Sequence, residues 1–202
     1  MPEAFITAHD AVFAQAGLLP GETLLVHGAA GGVGTAAVQL GVAAGARVVA
    51  TVRSPAVHDA VTALGAEIVR DEDFPGGMSV NADVILELVG GAHFPANLEV
   101  VARRGRIVIV SVAGGNEIDL ALVTLMQKRA TIAGTVLRSR ALEEKATAVR
   151  AFERQVVPAL ASGRLRPVVD SVYPAAEVTT AFDRLEERGK VGKVLLDFTG
   201  SR

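Results

Sequence analysis

The residues best placed to do chemistry lie in one run, His27-Gly28-Ala29-Ala30-Gly31-Gly32-Val33-Gly34. It follows a short apolar stretch, Thr23 to His27, and opens a segment with Val33, Ala36, Ala37 and Leu40 on one helical face. A strand that turns directly into a helix needs backbone angles and clearances that glycine supplies. A side chain at Gly31 or Gly32 would keep a diphosphate off the main chain, and Gly34 lets the helix pack close to the sheet. The free N–H groups and the dipole at the start of the helix then attract an anion. The pattern predicts a dinucleotide-binding loop in which Ala30, Gly31, Gly32, Val33 and Gly34 face the diphosphate. It departs from G-x-G-x-x-G at Ala29. The same glycines would serve a tight turn with no ligand, but the strand before them and the helix after them favour binding.

The next strand says which dinucleotide. Enzymes that use NAD carry an acid at its end, about twenty residues on, for the ribose 2′-hydroxyl. Here the stretch is Val49-Ala50-Thr51-Val52-Arg53-Ser54-Pro55, with no acid. A guanidinium pairs with a 2′-phosphate and a hydroxyl hydrogen-bonds to it, whereas a carboxylate repels it. Arg53 and Ser54 therefore predict NADPH. A solvated surface charge is the competing explanation of Arg53.

Other chemistry is thinly represented. His9, His27, His58 and His93 are scattered and lack metal-ligand spacing, and there is no cysteine. Disulfides and thiolate zinc sites are excluded, and no metal site is expected. His27 reads as packing under the glycine loop, and Tyr173, beside Pro174, as structural. No catalytic residue is assigned.

The elements that must position the loop alternate along the chain. Strands are expected at 23–27, 47–52, 67–70, 83–87, 106–111 and 130–136. Helices are expected at 4–16, from Val33 to Gly45, and at 56–64, 94–102 and 118–127. Strands apolar along their whole length mean a parallel sheet covered on both faces. The expected fold class is α/β: a doubly wound, six-stranded Rossmann sheet occupying residues 1–140. A tail, 141–202, holds a helix at 141–162, a strand at 168–173, a helix at 177–187 and a strand at 193–198, and these strands need not join the main sheet. The formal net charge of -2 argues against a nucleic-acid partner. No apolar run is long enough to span a bilayer, and Met1-Pro2-Glu3-Ala4-Phe5 lacks the features of a signal peptide. A soluble, cytoplasmic protein is expected.

The stretch from Gly21 to Gly34 resembles the zinc-independent quinone oxidoreductase branch, the zeta-crystallin-like enzymes, of the medium-chain dehydrogenase/reductase superfamily. So do Ala63-Leu64-Gly65-Ala66, Asp83 to Gly91, Gly105-Arg106-Ile107-Val108 and Val191-Gly192-Lys193-Val194. The most specific match is Gln127-Lys128-Arg129-Ala130-Thr131-Ile132-Ala133-Gly134-Thr135-Val136-Leu137-Arg138-Ser139-Arg140. The resemblance covers nearly the whole chain. It implies cofactor contacts at Val89 and Gly90, at Ser111, Val112 and Ala113, at Val136, Leu137 and Arg138, and at Thr7. Relatives often carry a lysine for the 2′-phosphate where this chain has Val57, which puts more weight on Arg53.

The resemblance also implies hydride transfer from NADPH to a quinone or an enone, and a homodimer through the edge of the sixth strand. Relatives begin with a β-rich domain that supplies most of the substrate pocket. This chain starts at the helix that would follow it, as expected of a fragment or of a natural short form that needs a partner. Two alternatives are an enoyl reductase domain of a multifunctional synthase and a non-catalytic NADPH-binding or redox-sensing module. Leu137 to Arg140 and the tail speak against the synthase.

Overall fold

The structure is a computed structural model and describes residues 2–200. The expected sheet is present. Strands β1 (Thr23–Val26), β2 (Arg47–Val52), β3 (Glu67–Arg70), β4 (Ala82–Glu87), β5 (Val101–Ile109) and β6 (Thr131–Gly134) are all parallel, in the order β3-β2-β1-β4-β5-β6. The order reverses between β1 and β4, where Val26 is level with Ala50 on one side and Leu86 on the other. That reversal opens a crevice at the carboxyl ends of the strands, where doubly wound sheets take their ligands.

Helices α1 (Pro2–His9), α2 (Gly32–Ala43), α3 (His58–Thr62), α4 (Phe94–Val100) and α5 (Leu122–Lys128) are followed in the tail by α6 (Leu142–Gln155), α7 (Val157–Ala161) and α8 (Val178–Glu186). Alternate strand residues feed two cores, as a period of two requires. Leu24, Val26, Val48, Ala50 and Leu86 meet Phe5 and Ala8 of α1, Val12 of the π-helical segment that continues it (Asp10–Gln15), and the Ala36–Leu40 face of α2. Leu25, Val49, Ile85 and Ile107 meet Phe94 and Leu98 of α4 on the opposite side. No helix among the described residues is long and apolar enough to cross a membrane.

Several boundaries differ from the expectation. The single helix expected at 141–162 is two, because Pro158 has no N–H to give and its ring crowds the preceding turn; Val156 leaves the helix at φ -111°. Strand β5 starts at Val101, where a helix was expected to continue, and carries a register shift with Arg104 in the left-handed region at φ 64°. The helix expected at 56–64 is α3 preceded by a 3-10 turn at Pro55–Val57. Ile118 to Ala121 precede α5 as non-helical chain.

In the tail, β7 (Val169–Pro174) and β8 (Lys193–Asp197) form a separate parallel pair. The pair is fastened to the glycine loop: the Gly192 N–H donates to the Ala30 carbonyl at 2.7 Å, and Gly31 bridges Gly192.

Arg106 on β5 ties the amino-terminal elements together. Its guanidinium donates to both carboxylate oxygens of Glu22 at 2.8 Å and to the carbonyls of Ala16 at 2.7 Å and Gly17 at 2.9 Å. The group is about one-fifth exposed, so solvent screens part of the charge. Arg106→Met is expected to lower stability by about 1–2 kcal/mol, read as a lower urea midpoint at unchanged slope.

Candidate functional site

The glycine run divides its tasks. Only Gly28 takes a positive φ, +61°, so the angle requirement falls there. At Gly34 the requirement is clearance: a Cβ would stand 2.5 Å from the Gly28 carbonyl oxygen and 2.6 Å from Ala29 Cα, and both are main-chain atoms that have no room to give. Gly31 caps α2 in an extended conformation with no side chain to offer. Its own N–H donates back to Gly28, and its carbonyl accepts the first bond of the helix, from Thr35 N at 2.8 Å. The amides of Gly32, Val33 and Gly34 therefore have no helical acceptor. No acid occupies the first turn of α2. An uncapped helix start with its dipole unopposed is an anion site.

These amides open into a cleft of about 750 Å³ at the carboxyl end of the sheet. Of the residues expected there, Thr7, Gly31, Gly32, Val33, Gly34, Ser111, Val136, Leu137 and Arg138 line it. Ala30 does not; its carbonyl is taken by Gly192. Arg53 and Ser54 follow β2 outside the lining, with Arg53 exposed. Val89, Gly90, Val112 and Ala113 also lie outside it. The loops that carry them close on each other, with Gly114 N donating to Val89 O at 2.6 Å and Gly91 N to Gly115 O at 2.8 Å.

A buried polar network sits beneath the glycine loop. Glu87 ends β4 with no exposure, and its Oε1 accepts the N–H groups of Val89 at 2.7 Å and Gly90 at 2.9 Å. Its Oε2 accepts Asn97 Nδ2 at 2.7 Å. Asn97 Oδ1 is 2.7 Å from His27 Nε2, and His27 Nδ1 is 2.8 Å from Thr51 Oγ1. His27 does pack under the loop, as expected. The histidines, however, are not all dispersed: the His27 and His93 rings lie 4.4 Å apart. Residues distant in sequence meet because β1 and β4 are sheet neighbours and α4 folds back over both.

His27, Glu87 and His93 each place one ligand-type atom within 4.8 Å of the others. The His27 nitrogens and the Glu87 oxygens are engaged by neighbours, and His93 Nε2 holds Asp71 at 2.9 Å. His93 Nδ1 alone lacks a partner. The cluster is a hydrogen-bonded scaffold for the loops and does not fit a metal.

Two features of the cleft are not visible along the chain. Lys193, at the start of β8, lays its side chain over Gly32, where an added Cβ would come within 2.8 Å of Lys193 Cδ, and its Nζ is 3.3 Å from Glu3. A cation thus stands beside the uncapped amides. Asp10, at the far end of the cleft, is buried and held by Arg140. Burial works against its charge, but the hydrogen bond and charge of Arg140, with Thr135 and Gln15, prevail and hold the carboxyl below its usual range.

Burial pushes His27 down to about 4, against the opposing pull of the Glu87 charge. Because the unfolded imidazole titrates near 6.5, the unfolded chain binds the extra proton first as pH falls. Stability is then full above about pH 6.5 and lost toward pH 4, by at most about 1.4 kcal/mol per pH unit from this group. Urea titrations from pH 7.5 to 4.5 are expected to show that loss, and His27→Gln to flatten it.

Residues 64–196 match the family model described as zinc-binding dehydrogenase. The chain is 30% identical to the quinone oxidoreductase of Rattus norvegicus over 201 residues, which cover 95% of this chain and 59% of that protein. It is 32% identical over 216 residues to the spectinabilin polyketide synthase system protein NorB of Streptomyces orinoci, covering 97% of this chain and 9% of that protein. The quinone oxidoreductase of Thermus thermophilus, solved also in complex with NADPH, superposes with a TM-score of 0.86 at 34% identity, covering 98% of this chain and 64% of that one. The chain thus spans about three-fifths of the length of the quinone oxidoreductases it matches. It holds no cysteine, and its His/Glu cluster is engaged, so these residues do not fit the zinc of the family's name. With a doubly wound sheet, an uncapped glycine-led helix at its switch point and a match over most of its length, the chain belongs to the zinc-binding dehydrogenase family of the medium-chain dehydrogenase/reductase superfamily.

Proposed function

We propose that the chain binds NADPH in this cleft, as the cofactor domain of an oxidoreductase that delivers hydride to a quinone or an enone. The observation that carries the proposal is the row of unpartnered amides at Gly32, Val33 and Gly34, opening into a cleft that runs toward the ends of β5 and β6. The amides fit a diphosphate, and Lys193 adds a positive charge beside them. Arg53 and Ser54 take the 2′-phosphate at the end of β2. Thr7, Ser111, Val136, Leu137 and Arg138 border the other end and orient the nicotinamide, with the loops carrying Val89, Gly90, Val112 and Ala113 beside them. Bound NADPH supplies the hydride; the chain positions it and keeps water from its reactive face. No zinc held by this chain takes part, and no side chain here is assigned a proton.

The similarity to quinone oxidoreductases supports the quinone. The likeness to a polyketide synthase protein supports the second reading, an enoyl reductase domain. Consumption of NADPH with a quinone against an enoyl thioester separates them. The chain is further proposed to work in the cytoplasm and to pair with a second copy through β6, which ends the sheet with one edge unpaired.

Fluorescence titration tests the cofactor assignment. The wild-type chain is expected to bind NADPH more tightly than NADH. Arg53→Glu should weaken NADPH by about tenfold or more and leave NADH nearly unchanged. Lys193→Met should weaken both to a similar extent. Equal losses for both coenzymes in Arg53→Glu would remove Arg53 from the phosphate site.

A further inference from the structure

The helix that opens the chain does not stay regular. After His9 the hydrogen bonding of α1 widens into π turns from Asp10 to Gln15. Such turns shift side chains around the helix axis and recur where one residue must be aimed away from the ordinary face. Asp10 opens that segment. It is only 5% exposed and lies one turn after Ile6, which is also buried.

Besides Gln15 Nε2 at 3.5 Å, its partners come from the loop after β6. Arg140 donates to both carboxylate oxygens, Nη1 to Oδ1 at 2.8 Å and Nη2 to Oδ2 at 2.5 Å. Thr135 Oγ1 donates to Oδ2 at 3.2 Å, and Arg140 also donates to Thr135 Oγ1. Thr135 and Arg140 are the two stems of the loop that presents Val136, Leu137, Arg138 and Ser139. One carboxylate therefore clasps both ends of that loop.

Within the loop, Leu137 also packs against the core on the α1 side of the sheet. Val136 is 58% exposed. Behind the clasp lies a second cleft of about 520 Å³, which shares Asp10, Thr135 and Val136 with the first. Val136 lines both clefts, so that part of the loop stands between them. Its stems are fixed by this charge-assisted cluster, and a bidentate guanidinium fixes an angle as well as a distance.

We propose that Asp10 and Arg140 are positioning residues for the nicotinamide end of the cofactor. They set Val136 and Leu137 as a wall facing Thr7 on α1 and act through that wall, their polar atoms being engaged with each other. The proposal rests on the NADPH reading above. In a sheet of this order β1–β3 serve the adenosine half and β4–β6 the nicotinamide half, so the loop after β6 belongs to the second. Disturbing the clasp should therefore weaken contacts to one half of the cofactor only.

The test compares NADPH with 2′,5′-ADP, which carries the adenosine half and its phosphate but no nicotinamide. Calorimetry is run on the full chain and on Arg140→Lys and Asp10→Asn. Arg140→Lys keeps the charge but loses the fork; Asp10→Asn keeps the shape but loses the charge. Both variants are expected to bind NADPH about tenfold more weakly, with 2′,5′-ADP unchanged within about twofold. The change in nicotinamide fluorescence on binding should shrink in both. Should either single variant fold poorly, the double variant Asp10→Asn/Arg140→Gln leaves no buried charge unpaired and should show the same split. Equal weakening of both ligands, or NADPH binding unchanged, overturns the proposal while leaving the cofactor assignment standing. Wild-type chain that binds neither ligand overturns the cofactor assignment and the proposal with it.

Discussion

The three amides at the start of α2 can receive a diphosphate only if no acceptor of the chain takes them first, and most of the structure serves that constraint. β1 must end at the switch point so that the helix starts inside the crevice rather than at an edge. Gly28 must turn the chain through a positive φ, and Gly34 must allow the helix to rest on main-chain atoms of the turn. No capping hydroxyl or first-turn acid competes for the amides. An anion arriving there replaces water at donors already fixed in place, so little reorganisation opposes binding.

The second half of the sheet is organised by a different device. Each loop that follows β4 or β6 is held by a buried carboxylate. Glu87 gathers the amides of Val89 and Gly90 and is itself anchored through Asn97 to His27. Asp10 reaches across from α1 to clasp the stems of the loop after β6. The β1–β3 half of the sheet thus relies on bare main chain and glycine clearance, the β4–β6 half on charge buried beneath its loops. The tail joins the same site from above, through Gly192 on Ala30 and Lys193 over Gly32.

Much of this was legible in the sequence because local signals agreed with the fold. Continuous apolar strands alternating with helices, and a glycine run directly between one strand and one helix, left a doubly wound sheet as the natural solution. The cleft also gathers Thr7, Gly31 to Gly34, Ser111 and Val136 to Arg138. What was not legible depends on distance. Glu87 reads as a polar strand end, and only the turn back of Val89 and Gly90 makes it an anchor. Asp10 is one position of the helix that opens the chain, and only Thr135 and Arg140, far along the sequence, make it a clasp. Lys193 reads as a strand residue of a separate tail until Gly192 docks that tail on the loop. His27 and His93 carry no spacing signal because sheet neighbours, not sequence neighbours, bring them together. Pro158 is the opposite case: the residue that divides the long helix was in view, and its missing N–H was sufficient to end it.

Amide-resolved NMR of the 15N-labelled chain during addition of NADPH tests the central claim most directly. The N–H signals of Gly32, Val33 and Gly34 are expected to move furthest and to saturate with the coenzyme, with smaller shifts at the loops after β5 and β6. If those three amides stay in place while the coenzyme binds elsewhere, or if no signal moves, the uncapped helix start is not a diphosphate site and the central claim is contradicted.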